Sequence, residues 1–62
     1  MMTCSLYITF RGRIRTEKYK SVDDLTLAYE GAKDRYRPAW GYDEAGALIL
    51  GNEPEGFQRS QG

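Results

Sequence analysis

Residues 4–20 read CSLYITFRGRIRTEKYK, and the fold turns on how this stretch doubles back on itself. Leu6, Ile8 and Phe10 alternate with Ser5, Tyr7 and Thr9, the period of two that marks a half-buried strand. Gly12 interrupts the alternation, and Arg13 to Lys20 predicts a second strand. A two-residue loop at Arg11-Gly12 pairs Thr9 with Ile14 and Ile8 with Arg15, mixing apolar and charged side chains on one face. A three-residue loop, Arg11 to Arg13, pairs Phe10 with Ile14 and Ile8 with Thr16 and gathers Cys4, Leu6, Ile8, Phe10 and Ile14. A slip of one residue exchanges the two faces, so burial favours the longer loop. Against it stands the glycine, which is central where a bulged loop wants it last.

Working outward, Ser21 opens a helix. Its hydroxyl can accept the Asp24 backbone N–H, and Asp23 and Asp24 suit the positive end of the helix dipole. Val22, Leu25, Ala28, Tyr29, Ala32 and Tyr36 form one apolar stripe. Lys33, Arg35 and Arg37 are expected in the last turn, with Pro38 ending the helix. Gly31 inside it costs about 1 kcal/mol relative to Ala, which points to a close contact or to fraying. Ala39 to Tyr42 and Ala47 to Leu50 predict a second hairpin around Asp43-Glu44-Ala45-Gly46. With Gly46 left-handed, Tyr42 pairs with Leu48 and Trp40 with Leu50, and all four share a face.

The expected fold is α+β: a small antiparallel sheet of two hairpins in ββαββ order, with one helix packed on one face. Residues 1–51 form the single domain, and residues 52–62 are expected as a flexible C-terminal tail, since Phe57 is their one large apolar residue. A chain of 62 residues has a thin core, so packing or a partner must stabilise it, and a homo-oligomer is among the options.

The charge is sorted although the net charge is zero. Five of the nine Lys and Arg residues, Arg11, Arg13, Arg15, Lys18 and Lys20, lie within residues 11–20, offset there by Glu17 alone. From Pro38 to Gln58 every charge is acidic: Asp43, Glu44, Glu53 and Glu55. In the longer-loop register the hairpin's outer face carries Tyr7, Thr9, Arg15, Glu17 and Tyr19. Cations interleaved with aromatics can follow a phosphate backbone and stack on bases, and a two-stranded ribbon fits the DNA major groove. An ordinary solvated edge explains the same residues, with Lys and Arg blunting it. The carboxylates suit turns as well as they suit a basic partner. Trp40 reads as the centre of the core before it reads as an interface anchor, while Leu27 and Phe57 have no obvious place.

No catalytic constellation assembles. Cys4 aligns with the core face and the chain has no histidine to activate it, so it reads as a buried thiol rather than a nucleophile. One cysteine and no histidine exclude a His- or Cys-rich zinc site, and no metal or cofactor is expected. No stretch approaches the roughly 18 apolar residues of a membrane span, and Met1 to Thr9 lacks the basic start of a signal peptide. The single unpaired cysteine fits a reducing, cytoplasmic setting.

The expected function is therefore a small non-catalytic binding protein acting stoichiometrically on a protein or nucleoprotein complex. Phage and mobile-element inhibitors of bacterial defence complexes, CRISPR effectors among them, have this size and type. Arg11, Arg13, Arg15, Lys18 and Lys20 would make the contact, with Tyr7 and Tyr19 as aromatic anchors. The alternatives are a regulator that binds nucleic acid directly through the hairpin and a structural or assembly subunit.

Overall fold

The computed structural model describes residues 3–57. Strands β1 (Cys4–Phe10) and β2 (Arg13–Tyr19), helix α1 (Val22–Ala32), and strands β3 (Ala39–Tyr42) and β4 (Leu48–Gly51) follow one another in the ββαββ order that the alternation predicts. The four strands make one antiparallel sheet in the order β2-β1-β3-β4. β1 and β3 are therefore internal and β2 and β4 are edges. Because β2 and β3 flank β1, α1 crosses over β1 and packs on one face of the sheet.

The first hairpin takes the two-residue loop, not the expected three-residue one. Phe10 pairs with Arg13, Thr9 with Ile14, Ile8 with Arg15 and Leu6 with Glu17. Arg11 and Gly12 both have positive φ, 51° and 78°, the twist-matched geometry of a two-residue hairpin turn. The burial argument fails because it assumes that both strands lie under the helix. As an edge, β2 is exposed at every residue but the half-buried Tyr19. Ile14, expected in the core, is 47% exposed on the face away from the helix, and Phe10 at the rim is 40% exposed.

The Ser21 hydroxyl caps α1 by accepting the Asp24 N–H, 3.2 Å away. Leu25 and Ala32 of the stripe are buried, and Ala28, Tyr29 and Tyr36 pack against them. The helix stops at Ala32, five residues before Arg37, and its last turn contains no basic residue. The Ala32 carbonyl accepts both the Arg35 and the Tyr36 N–H, at 3.0 and 2.8 Å. That closure ends the helix and delivers Tyr36 edge-on to Phe10, ring centroids 5.6 Å apart. Gly31 has open space around it and makes no close contact.

The second hairpin forms where Gly46 places it, with φ at 86°. The Asp43 carboxylate accepts the backbone N–H groups of Ala45 and Ala47, both at 2.9 Å, which explains an acid at that position by turn chemistry. Tyr42 pairs with Leu48 as expected. A bulge then shifts the register, so Leu50 pairs with Gly41 and Gly51 with Trp40. Leu50 accordingly joins the helix-side core instead of the face shared by Trp40 and Tyr42. Gly41 makes the room for this packing, since its missing side chain lets Leu25 settle 3.3 Å from where a Cβ would stand.

Both faces of β3 are covered. On the helix side lie Cys4, Leu6, Ile8, Leu25, Ala32 and Ala39. On the other side Tyr7 stacks on Trp40 at 5.4 Å, with the planes 12° apart, and meets Tyr42 edge-on. Residues 52–57, expected as part of a tail, bring Phe57 onto this face, edge-on to Trp40 at 4.9 Å and to Tyr7 at 5.5 Å. A turn closed by the Phe57 N–H on the Pro54 carbonyl points the ring back at the sheet. The rest of that segment, residues 58–62, lies outside the described residues.

Candidate functional site

The shorter loop redistributes the cations of the hairpin. Side chains directly opposite one another across an antiparallel pair share a face. Arg13, Arg15, Glu17 and Tyr19, opposite Phe10, Ile8, Leu6 and Cys4, therefore point to the helix side. Ile14, Thr16 and Lys18 point to the other. The grouping of Tyr7, Arg15 and Tyr19 on one outer face is thus corrected: Tyr7 is on the opposite face from the other two. The inversion follows from the single residue by which the loop is shorter.

Arg11 sits at the tip with its guanidinium 5.2 Å from the centre of the Phe10 ring, a cation–π contact that anchors the turn. Lys18 donates to the Ser5 hydroxyl at 2.9 Å. Lys20 is exposed beyond the end of β2. Among the described residues the ion pair formed is Lys33–Glu30, at 2.8 Å, so none of the five hairpin cations is neutralised by a contacting carboxylate. The aromatic anchors are less available than the cations. Tyr7 is half-buried within the Trp40 stack, and the Tyr19 hydroxyl donates to Glu17 at 2.7 Å. That bond, then partial burial and the charge of Glu17, hold the Tyr19 phenol above the ordinary tyrosine value.

Since α1 covers β1 and β3 better than β2, a groove of about 220 Å³ opens between helix and hairpin. Leu6, Ile8 and Phe10 line it from β1, Ala28, Ala32 and Tyr36 from the helical side, and Arg15, Glu17 and Tyr19 from β2. Sequence reasoning missed this feature, although the small residues Ala28 and Ala32 on the stripe were its one local signal. A second, shallower depression is bordered by Tyr29, Lys33, Arg37, Pro38 and Asn52.

Two of the four carboxylates at the acidic end, Asp43 and Glu53, serve the fold. Asp43 organises its turn, and Glu53 accepts the Tyr42 hydroxyl, which in turn accepts the Trp40 indole N–H at 2.9 Å. Trp40 and Tyr42 are buried at 0% and 2% exposure, so they are core residues rather than interface anchors. Leu27 remains 74% exposed on α1. Cys4 is buried in the helix-side core; burial foremost, then the charges of Glu44 and Asp43, push its thiol pKa up, away from the reactive thiolate. Among the described residues no three His, Cys, Asp or Glu side chains cluster as a metal site, and no helix is long and apolar enough to cross a membrane. No family model, no curated protein and no solved structure matches this chain.

Proposed function

We propose that this chain is a non-catalytic binding protein that engages a macromolecular partner through its basic hairpin. The observation that carries the reading is the hairpin itself: β2 is an exposed edge strand, and among the described residues the cations on it and at its ends have no contacting carboxylate. Their field is unspent and extends toward whatever approaches that edge. A protein or nucleoprotein complex with an acidic or phosphate-lined groove is the partner this surface fits. The half-burial of Tyr7 removes one of the two aromatics that base stacking would use, which favours charge contact over a stacking platform. A basic edge hairpin that occupies a groove meant for nucleic acid would act as a stoichiometric inhibitor. In that role the chain would belong with phage or mobile-element proteins that block bacterial nucleoprotein complexes such as CRISPR effectors, in the cytoplasm.

The test is a tagged pull-down from bacterial lysate, with and without nuclease, run in parallel on the R13E/R15E variant. A complex that survives nuclease and is lost with the double reversal supports the reading. Nucleic acid that co-purifies, with all other partners released on digestion, replaces it with direct nucleic-acid binding. Undiminished capture by the folded double variant removes the hairpin from the contact.

A further inference from the structure

β2 ends the sheet, and among the described residues no strand runs along its outer edge. The turn determines which residues face that edge. Positive φ at Arg11 and Gly12 makes Phe10–Arg13 the hydrogen-bonded pair that closes the hairpin. Hydrogen-bonded and non-hydrogen-bonded pairs alternate along an antiparallel ladder. Arg13, Arg15, Glu17 and Tyr19 therefore turn their backbone groups toward β1, and Ile14, Thr16 and Lys18 turn theirs outward. These three residues offer a ready ladder to an incoming strand.

We propose that the incoming strand is β2 of a second copy of this chain, paired antiparallel about a two-fold axis at Thr16, so that the two sheets become one. Thr16 then faces Thr16 of the second copy, and Ile14 faces its Lys18, which uses every outward backbone group. On the helix side Arg15 falls opposite the second copy's Glu17, and Glu17 opposite its Arg15. These are non-hydrogen-bonded positions, where side chains approach most closely. The adjacent permitted registers are less favourable: one sets Arg15 against Arg15, offsetting the two Arg13–Glu17 pairs it also makes, and the other sets Glu17 against Glu17. Charges on an edge strand ordinarily deter pairing. Here the order Arg15-Thr16-Glu17 deters the neighbouring registers and favours one. The interface is isologous, with both helices on the same side of the joined sheet. The pairing goes beyond the hairpin reading: it assigns the strand's edge to a second copy, sets Arg15 against that copy's Glu17, and leaves Arg11, Arg13 and Lys20 around the hairpin tips for a macromolecular partner.

The experiment is sedimentation equilibrium on the purified chain without any other partner, up to its solubility limit. It compares the wild type, R15E, E17R, their equimolar mixture, and the double exchange R15E/E17R. Every substitution lies on the exposed edge strand, and circular dichroism is to be run on each variant to check that it is folded. The wild type is expected to dimerise. Each single variant turns two attractive pairs into two repulsive ones and should weaken the dimer roughly tenfold or more. The mixture should recover association as a heterodimer, since each copy then supplies the charge that the other lacks. The double exchange should dimerise like the wild type. A wild type that stays monomeric overturns the proposal. So does a mixture no stronger than its components, or a double exchange as weak as the singles.

Discussion

Replacing Phe57 with Ala tests whether the segment after Gly51 belongs to the domain. Phe57 is half-buried, edge-on to both Trp40 and Tyr7. Truncating a fully buried Phe costs about 3–5 kcal/mol, so half that, about 2 kcal/mol, is the expected loss from burial and ring contacts together. A 62-residue domain has a total stability of roughly 3–9 kcal/mol, so the variant should sit visibly closer to unfolding. In thermal terms the loss is about 8–16 °C in Tm. The assay is urea unfolding followed by fluorescence, because Trp40 is the sole tryptophan and Phe57 covers it. Native emission of F57A should also shift to the red as water reaches the indole. L27A is the control: Leu27 is 74% exposed, and its loss should stay within about 0.5 kcal/mol. If F57A matches L27A in stability and leaves Trp40 emission unchanged, the second face is not closed by this residue, and the tail expected from composition stands.

Two further predictions concern the backbone and the charge of the hairpin. Gly51 has φ of +67°, and a Cβ there would meet the Ala39 carbonyl oxygen at 2.4 Å and the Trp40 Cα at 3.2 Å. G51A should therefore cost more than about 2 kcal/mol, whereas G31A, with open space around it in a helix, should gain about 0.5–1 kcal/mol; urea midpoints in the reverse order would refute this account of the two glycines. Tyr19 should titrate above an ordinary tyrosine, and E17A, which removes its hydrogen-bond acceptor and the neighbouring charge, should bring it down. Because the folded pKa is raised, the associated stability is present below the unfolded phenol's pKa and disappears as pH rises through the folded one. An NMR titration of the Tyr19 ring that gives the same midpoint in both proteins would remove Glu17 as the cause.

Much of the architecture is legible in local pattern. The period of two in residues 4–10, the Ser21 cap, the stripe from Leu25 to Ala32 and the Asp43–Gly46 turn each depend on neighbours a few positions away. The burial of Trp40 follows from the scarcity of large apolar side chains in so short a chain. The candidate site was half legible: the cations could be read as a cluster, but not the face each occupies. Tyr7 and Tyr19 looked like equivalent anchors, yet the structure places them on opposite faces.

The remaining features depend on contacts between segments far apart in the chain. Sequence by itself determined the element order, the helix start and the concentration of charge on one hairpin, because capping, periodicity and turn chemistry act over one to four residues. Only the tertiary structure decided that β1 lies between β2 and β3 and that α1 therefore leaves β2 partly uncovered; at the Arg11-Gly12 turn the central glycine was a local signal for two residues, outweighed by the assumption that both strands lie under the helix. Tertiary structure also decided the bulge that sends Leu50 to the helix side and the return of Phe57 to Trp40. Each of these is a choice of which distant surfaces to bury. Such choices are settled by the summed packing of the whole chain, to which no local pattern has access.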